Sequence, residues 1–401
     1  MSRRHYLGLC AIAKDETPFL REWVAYHHLI GFERIIVYDN ESAVPAREVL
    51  ADMIDAGWVE TYFIEGKTVQ LTAYHHCLIT HGAEFEWLAF FDLDEFLLIE
   101  NEMDARALLC AYDDYAGLAV NMVAFSSAGK LGRPTGLCME NYTERIGPGL
   151  SVKCMVRPDK VKLILTPHDI HLEEGCFTVN TDRLPVFGAY TPVTVDTAVL
   201  NHYFYRSQQD FEEKLQRGDA IYMGESARKM LQFYQHLEKL ATRDTRILRH
   251  VGRVRAIMDG EDCPYIALDT SIAFTEPFAA ALSRLVKDVE SGERERARLL
   301  FLLNRKRFQD KAAYLTMGFR ACLAAGDHAS AESAARALLV LAPVLSSYCH
   351  FLSLYLSRGE RARAEHMAYF LLRNAGGKEE HKGIAEFARA AIEEHGLSVD
   401  I

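Results

Sequence analysis

WLAFFDLDEFLLI, residues 87–99, sets the frame for the whole chain. Residues 88–91 and 96–99 are apolar runs with the length and composition of buried strands. Asp92, Asp94 and Glu95 fall where that buried run is interrupted. On an extended backbone alternate side chains share a face, which sets Asp92 and Asp94 side by side, roughly 7 Å apart at their α-carbons. Two anions beside apolar walls repel each other and resist desolvation unless a cation or donor compensates. A divalent metal does this best, and hard oxygen ligands suit Mg2+ or Mn2+. The plain alternative for any D-x-D is an acidic turn at a strand end with its charges in water.

Upstream of this stretch, strand and helix patterns alternate. Residues 6–13 read as a buried strand. Thr17 can cap a helix that Pro18 opens, and Leu20, Trp23, Val24, His27 and His28 recur at helical spacing before Gly31 ends it. Residues 34–38, RIIVY, form a β-branched strand that runs into Asp39-Asn40-Glu41-Ser42. A helix over 46–56, a strand over 58–64 and a helix over 68–82 follow. This alternation predicts an α/β fold with a parallel sheet and helices on its faces. Ligands of such sheets bind outside the carboxyl ends of the strands. Ala13-Lys14-Asp15-Glu16, Asp39-Asn40 and Asp92-x-Asp94 all fall at those ends. Three polar clusters on one rim favour the metal site over the solvated turn.

Downstream, residues 117–205 hold short β-prone runs between Gly, Pro and Asn, which reads as mixed strands and loops completing the sheet and walling a cleft. A helix over 207–218 has Ser207 as its cap and Asp210 in its first turn. Lys214 and Arg217, three apart, share a face of it. Residues 226–249 continue as helix. Gly260, Pro264 and Pro277 break the pattern over 259–278, which places a domain boundary there and gives an α/β domain over 1–258 and a helical one over 277–401. In the helical part Gly326 aligns over Gly359, a period of 33, each glycine preceding A-E-x-x-A-x-x-L/F. That pattern is like a tetratricopeptide helical hairpin. It reads either as a helical subdomain or as a small array for a protein partner or a membrane surface.

At 401 residues the chain is long enough for two domains. A net charge of −11 argues against a general nucleic-acid binder, though not against a local basic pocket for a phosphate-bearing small molecule. No run reaches the 18 to 20 or so apolar residues of a membrane span. The apolar run at 6–13 is too short for a signal peptide. Nine cysteines, odd in number and without a C-x-x-C, suit small core residues in a reducing compartment, and the expectation is cytoplasmic.

IAKDETPFLREWVAYHHLIGFERIIVYDNES, FFDLDEFL, VKCMVRPDKV and NHYFYRSQQDFEEKLQRG, in this order and spacing, resemble glycosyltransferases of the GT-A fold, close to family 92 and related family-2-like enzymes. The resemblance covers about residues 5 to 220. It implies a GT-A, Rossmann-like domain with a mixed sheet, a nucleoside diphosphate-sugar donor, most simply a UDP-sugar, and a divalent metal. It also implies transfer to a glycan, glycolipid or protein acceptor, with inversion. On that basis Asp92 and Asp94 hold Mn2+ or Mg2+, which neutralises the leaving diphosphate. Ala13, Lys14, Asp15 and Glu16 line the nucleotide pocket, Asp39 accepts from base or ribose, and Gln70 and Tyr74, one helical turn apart, reach the same pocket. Lys214 and Arg217 carry the charge to grip the diphosphate, and Lys153 and Arg157 are similar candidates on a strand edge.

His168 and His171 lie three apart, and His202 matches the family's histidine–tyrosine block. His202 is expected to complete the metal site, with His171 behind it. An inverting enzyme needs a carboxylate base for the acceptor hydroxyl. Asp169, Glu173, Glu174 and Asp182 lie in the right part of the chain; Glu95, nearer the metal, is expected instead to position the sugar, and with Asp94 it counts among the catalytic residues. Two rivals differ in class. A D-x-D-x-T phosphatase would have a nucleophilic aspartate on an early strand, whereas three strands precede this motif and Glu95-Phe96 follow it. A non-catalytic helical-repeat interaction protein with a decayed transferase domain would have lost the acidic motif, which is intact here.

Overall fold

The computed structural model describes residues 5–100, 104–217, 239, 241–261, 276–376 and 378–399. The chain divides into two compact units, Met1–Tyr265 and Ile266–Ile401.

The first unit is built on a mixed sheet. β1 (His5–Ala13), β2 (Arg34–Asp39), β3 (Val59–Phe63) and β4 (Phe85–Phe90) run parallel in the order β3-β2-β1-β4. They are joined through α1 (Thr17–Leu29), two short helices α2 (Ala46–Val49) and α3 (Ala51–Asp55), and α4 (Gln70–His81). The helix expected over 46–56 is therefore split, at Leu50. Thr17 lies inside α1 rather than capping it, because the preceding Glu16 turns its carboxylate toward two arginines instead of the helix end.

Beyond the D-x-D the chain changes direction. Glu95 N–H donates to the Asp92 carbonyl at 3.0 Å, closing a turn, and β5 (Glu95–Ile99) leaves the line of β4. After α5 (Ala105–Cys110) come β6 (Gly117–Phe125), α6 (Cys138–Asn141) and β7 (Glu144–Val156). β7 inserts antiparallel between β6 and β4. β8 (Val161–Thr166) and β9 (Asp169–Leu172) form a separate hairpin. β10 (Thr178–Val179) and β11 (Pro185–Val186) extend the sheet beyond β6. β12 (Ala198–His202) runs parallel to β6 and antiparallel to β5, with His202 opposite Glu95. α7 (Gln208–Arg217) follows, and β13 (Thr242–Arg243) pairs with β7. Of the helix expected over 226–249, residues 226–238 lie outside the described residues. The later part is β13 and a 3-10 turn, Arg246–His250.

Both faces of the sheet are sealed by apolar side chains. On one, Cys10, Ile36, Phe90, Val152 and Cys154 pack with Tyr74 and Cys77 of α4 and with Ile164 and Ile170 of the hairpin. Over β5, α1 ties its large side chains down: Trp23 Nε1 donates to the Glu95 carbonyl at 2.9 Å and Tyr26 Oη to the Leu97 carbonyl at 2.8 Å. Each such aromatic, fully buried, is worth about 1.5–3 kcal/mol from burial alone, and its polar tip is satisfied.

The second unit is helical where described. Ala312–Ala324 and His328–Leu341 flank Gly326, and Cys349–Ser357 and Arg361–Ala375 flank Gly359; both glycines have positive φ, 78° and 67°. Ala331, Ala335 and Leu338 are buried, and so are Ala364, Ala368 and Leu371, their counterparts 33 residues on. The 33-residue period is thus a repeated helical hairpin. Gly318, in mid-helix, has its own reason: a Cβ there would lie 2.0 Å from the Phe301 ring. No described helix is long and apolar enough to cross a membrane.

Candidate active site

The parallel strands bring the ends of β1, β2 and β4 to one rim, and the turn after β4 puts Asp92 and Asp94 on it. Because the motif lies on a turn rather than on extended backbone, its two carboxylates have different neighbours.

Asp92 faces the sheet. Its Oδ1 accepts from Gln70 Nε2 at 2.7 Å and from Tyr74 Oη at 3.2 Å, and its Oδ2 pairs with Lys153 Nζ at 2.8 Å. Lys153 is wholly buried and also lies 3.4 Å from Glu95 Oε2. It stands on β7 in the interior of the sheet, not at an edge as expected. Burial works against the charge on Lys153, but Asp92 and Glu95 outweigh it and hold its pKa above the usual lysine value. Burial likewise works against the Asp92 carboxylate, but Lys153 wins and its pKa is lowered. Gln70, Tyr74 and Lys153 therefore support Asp92 from beneath, rather than lining an open pocket.

Glu95 completes this lower layer. Its Oε2 accepts from Asp92 N–H at 2.8 Å, while its Oε1 is buried without a hydrogen-bond partner. Burial pushes its pKa up from 4.5 to about 7, against the pull of Lys153. With no exposure to solvent it does not reach a bound sugar, contrary to the expectation that it positions one. The native state keeps a proton that the unfolded chain gives up. Its contribution to stability is thus full below pH 4.5 and is lost as the pH rises through about 7. Glu95→Gln, which keeps the acceptor oxygen and is always neutral, is expected to flatten this decline. Urea midpoints at pH 5 and pH 8 should differ less in the variant than in the parent; an unchanged difference would contradict the assignment.

Asp94 faces the cleft. Its Oδ2 pairs with Lys214 Nζ at 2.8 Å and its Oδ1 lies 3.5 Å from His202 Nε2. Burial raises its pKa, but Lys214 and His202 overcome this and hold it well below the usual carboxylate range. His202 reaches it through strand pairing: β12 lies beside β5 in the register that sets His202 against Glu95. A small open cleft begins here, with Asp15, Phe19, Asp94, Phe204, Lys214 and Arg217 among its lining.

The far wall of the cleft is Arg206, which pattern reading missed. Its guanidinium donates to Glu16 Oε2 at 2.6 Å and to the Leu93 carbonyl at 3.1 Å, and lies 3.6 Å from the Phe19 ring centroid. It thus ties the D-x-D turn to the end of β1. Its φ of +45° is a left-handed conformation that non-glycine residues seldom take. Nothing in the local sequence announces it beyond one basic residue within NHYFYRSQQDF. Arg217 ion-pairs with Glu16 and donates to the Asp15 carbonyl at 2.9 Å. Burial raises the Glu16 pKa, but the two arginines outweigh it and the net shift is downward.

The other candidates divide. Asp15 is exposed on the cleft, its N–H held by Ser42 Oγ at 3.0 Å. Lys14 is half-buried with no ion-pair partner among the described residues, and the Ala13 carbonyl accepts from Asn40 N–H at 2.7 Å. Asp39 is engaged within its own loop, accepting from Ser42 N–H at 3.0 Å and Ala46 N–H at 2.8 Å, so it shapes the rim as a turn residue does. Arg157 pairs with Glu86 and Asp113 and takes no part. His171 is exposed, its Nε2 3.5 Å from Asp169 Oδ2. The histidine that approaches the motif is His168 at the hairpin tip: its Nδ1 is 2.9 Å from the Val152 carbonyl. Burial lowers its pKa, with Lys153 the next cause, and it feels Asp92 and His202 as well. Asp169 shares that tip, whereas Glu173, bonded through its N–H to Lys160, lies at the hairpin's base. Glu174 and Asp182 are exposed in later loops.

Among the described residues no three His, Cys, Asp or Glu side chains gather into a ready-made metal cluster. What the rim offers a cation is two ionised carboxylates, Asp92 and Asp94, and one imidazole, His202, which lies 3.5 Å from Asp94.

The sequence model of glycosyltransferase family 92 matches residues 5–240, more than half of the chain. The chain belongs to glycosyltransferase family 92. A family 92 protein of Oryza sativa subsp. japonica is 28% identical over 248 residues, 60% of this chain and 39% of that one. A family 92 protein of Ricinus communis is 28% identical over 226 residues, 55% of this chain and 39% of its own. This family 92 chain thus spans about two-fifths of the length of those curated relatives. Among solved structures, S. aureus TarS in complex with UDP is 13% identical with a TM-score of 0.31, over 78% of this chain and 90% of that one. That likeness is slight.

Proposed function

We propose that this chain is an inverting glycosyltransferase that moves a sugar from a nucleoside diphosphate-sugar, with UDP as the carrier, to a hydroxyl of a glycan or glycolipid. The observation that carries this is Asp94, 3.5 Å from His202 Nε2, in a cleft that Lys214 and Arg217 also line. An ionised carboxylate with an imidazole suits Mn2+, which accepts nitrogen more readily than Mg2+ does. Asp94 and His202 would hold the ion. When bound, it supplies positive charge to the diphosphate as the bond to the sugar breaks.

The protein's own groups do the rest. Lys214 and Arg217 present cations to the diphosphate oxygens, and the backbone around Ala13 and Asp15 meets the nucleoside. Arg206, between Glu16 and the Leu93 carbonyl, keeps the motif turn in place. Of the candidate carboxylates we assign Asp169, which shares the hairpin tip with His168, as the base: it would take the proton of the acceptor hydroxyl as that oxygen bonds to the anomeric carbon and the diphosphate departs from the opposite side. Positioned general bases contribute typically 10²–10⁴-fold.

Asp169→Asn is therefore expected to lower transfer at least about 100-fold while leaving UDP affinity within a factor of two or so. Transfer is read as UDP release from UDP-galactose, UDP-glucose and UDP-N-acetylglucosamine with a panel of acceptor glycans and MnCl2. Full turnover in the variant would move the base elsewhere. Silence of the parent protein across the panel would remove the transferase reading itself.

A further inference from the structure

We propose that Lys214 is an exchangeable cation: it neutralises Asp94 until the metal and the nucleotide diphosphate arrive, then gives up the carboxylate and pairs with the diphosphate. This rests on the metal-dependent transferase reading above and adds a residue-level account of how metal and nucleotide come to depend on each other.

The two lysines of the motif differ in the way this requires. Lys153 is fully buried and held by two carboxylates at 2.8 and 3.4 Å, with the sheet around it. It has nowhere to go. Among the described residues Lys214 pairs with one carboxylate, at 2.8 Å, and its side chain is 21% exposed. It stands in the last turn of α7 and lines the open cleft, so a change of rotamer keeps its ammonium within the cleft. Its Nζ also lies 4.1 Å from the centroid of the Phe204 ring, a neutral face on which a cation can rest between partners.

Asp94 is the group contested. With Lys214 on Oδ2 and His202 near Oδ1, both oxygens are engaged. For Asp94 to ligate a divalent ion through Oδ2, Lys214 must move. It moves at little cost only if another anion receives it, because a half-buried ammonium without a partner is unfavourable. The nucleotide diphosphate is that anion. Arg217 and Arg206 do not neutralise Asp94 in its place, since their ion-pair partner is Glu16. Free metal therefore competes with Lys214, whereas metal together with diphosphate does not. Each ligand thereby raises the affinity for the other.

The test uses MnCl2 and UDP on the full chain, without turnover. Mn2+ binding is followed by the loss of the free-ion paramagnetic resonance signal, with and without saturating UDP. In the parent, UDP is expected to tighten Mn2+ at least tenfold. In Lys214→Met, Mn2+ without UDP should bind about tenfold tighter than in the parent, since Asp94 is free from the start. UDP should bind at least tenfold more weakly, and the mutual tightening should shrink to a factor of two or three. Lys214→Arg should restore much of the UDP affinity. Parent that binds Mn2+ with UDP, but a Lys214→Met variant with unchanged or weaker Mn2+ affinity, overturns the exchange and leaves the metal site standing. Parent that binds no Mn2+ with or without UDP overturns both. His202→Ala, expected to lose Mn2+ in either condition, checks that the ion counted is the one at Asp94.

Discussion

Asp94→Asn is expected to abolish Mn2+-linked UDP binding and to cut sugar transfer by about 10²–10³-fold or more, the range seen when one preorganised charge contact is removed. The fold should survive. Lys214 keeps the asparagine Oδ1 as a hydrogen-bond acceptor, and Arg206 keeps its pair with Glu16. A loss of about 1–3 kcal/mol follows when a partly buried ammonium exchanges a carboxylate for a neutral acceptor. UDP titration with MnCl2 and a thermal melt, run together, check both halves. A variant that melts early but still binds would reverse the assignment of Asp94 from site to scaffold.

Lys153→Met should do the opposite: a marked loss of stability that precedes any effect on the site. The substitution leaves Asp92 and Glu95 stacked under the rim with no cation between them. Removing one partner of a buried pair costs about 3–5 kcal/mol. Glu95 softens this by holding its proton up to about pH 7, and Asp92 by its partial exposure. A loss of roughly 3 kcal/mol remains, or about 6–12 °C in the melting midpoint of a domain this size. Because burial of the charged groups is the cause, added salt should restore little. A melting curve matching the parent's would show that the lysine is not needed beneath the motif. The same logic separates the two aspartates. Asp92→Ala takes the nearer carboxylate from the buried Lys153, whereas Asp94→Ala takes one from the partly exposed Lys214.

How far the residues alone reach depends on whether the information is local. β1 to β4, and the gathering of 13–16, 39–40 and 92–94 on one rim, follow from hydrophobic periodicity and from the rule that βα units wind in one direction. Both act within a few dozen residues. The neighbours of those clusters are set by pairing across about 100 residues. His202 meets the motif only because β12 chooses β5 as its partner, and no feature of AVLNH states the register. Lys153 was visible as a basic residue between Val152 and Cys154, but its place inside the sheet depends on β7 entering between β6 and β4. The exposed His171 and the inward His168 are three residues apart on a hairpin whose twist and bulges, not its composition, decide which one turns inward. Asp39 illustrates the reverse case: at a strand end it reads equally as ligand or as turn, and Ser42 and Ala46 make it a turn. Arg206 rests on a left-handed backbone that sequence does not signal.

At the centre of the proposed chemistry Asp94 and His202 share one divalent ion that carries the nucleotide. Its most direct measurement is calorimetric titration of UDP into the parent protein and into His202→Ala, each in MnCl2 and again in EDTA. The expected result is clear binding by the parent in MnCl2, and at least a tenfold loss in EDTA, in His202→Ala, or in both together, with no further loss when the two are combined. Equal UDP affinity with and without metal, or a His202→Ala variant that still binds UDP in a metal-dependent way, would contradict it.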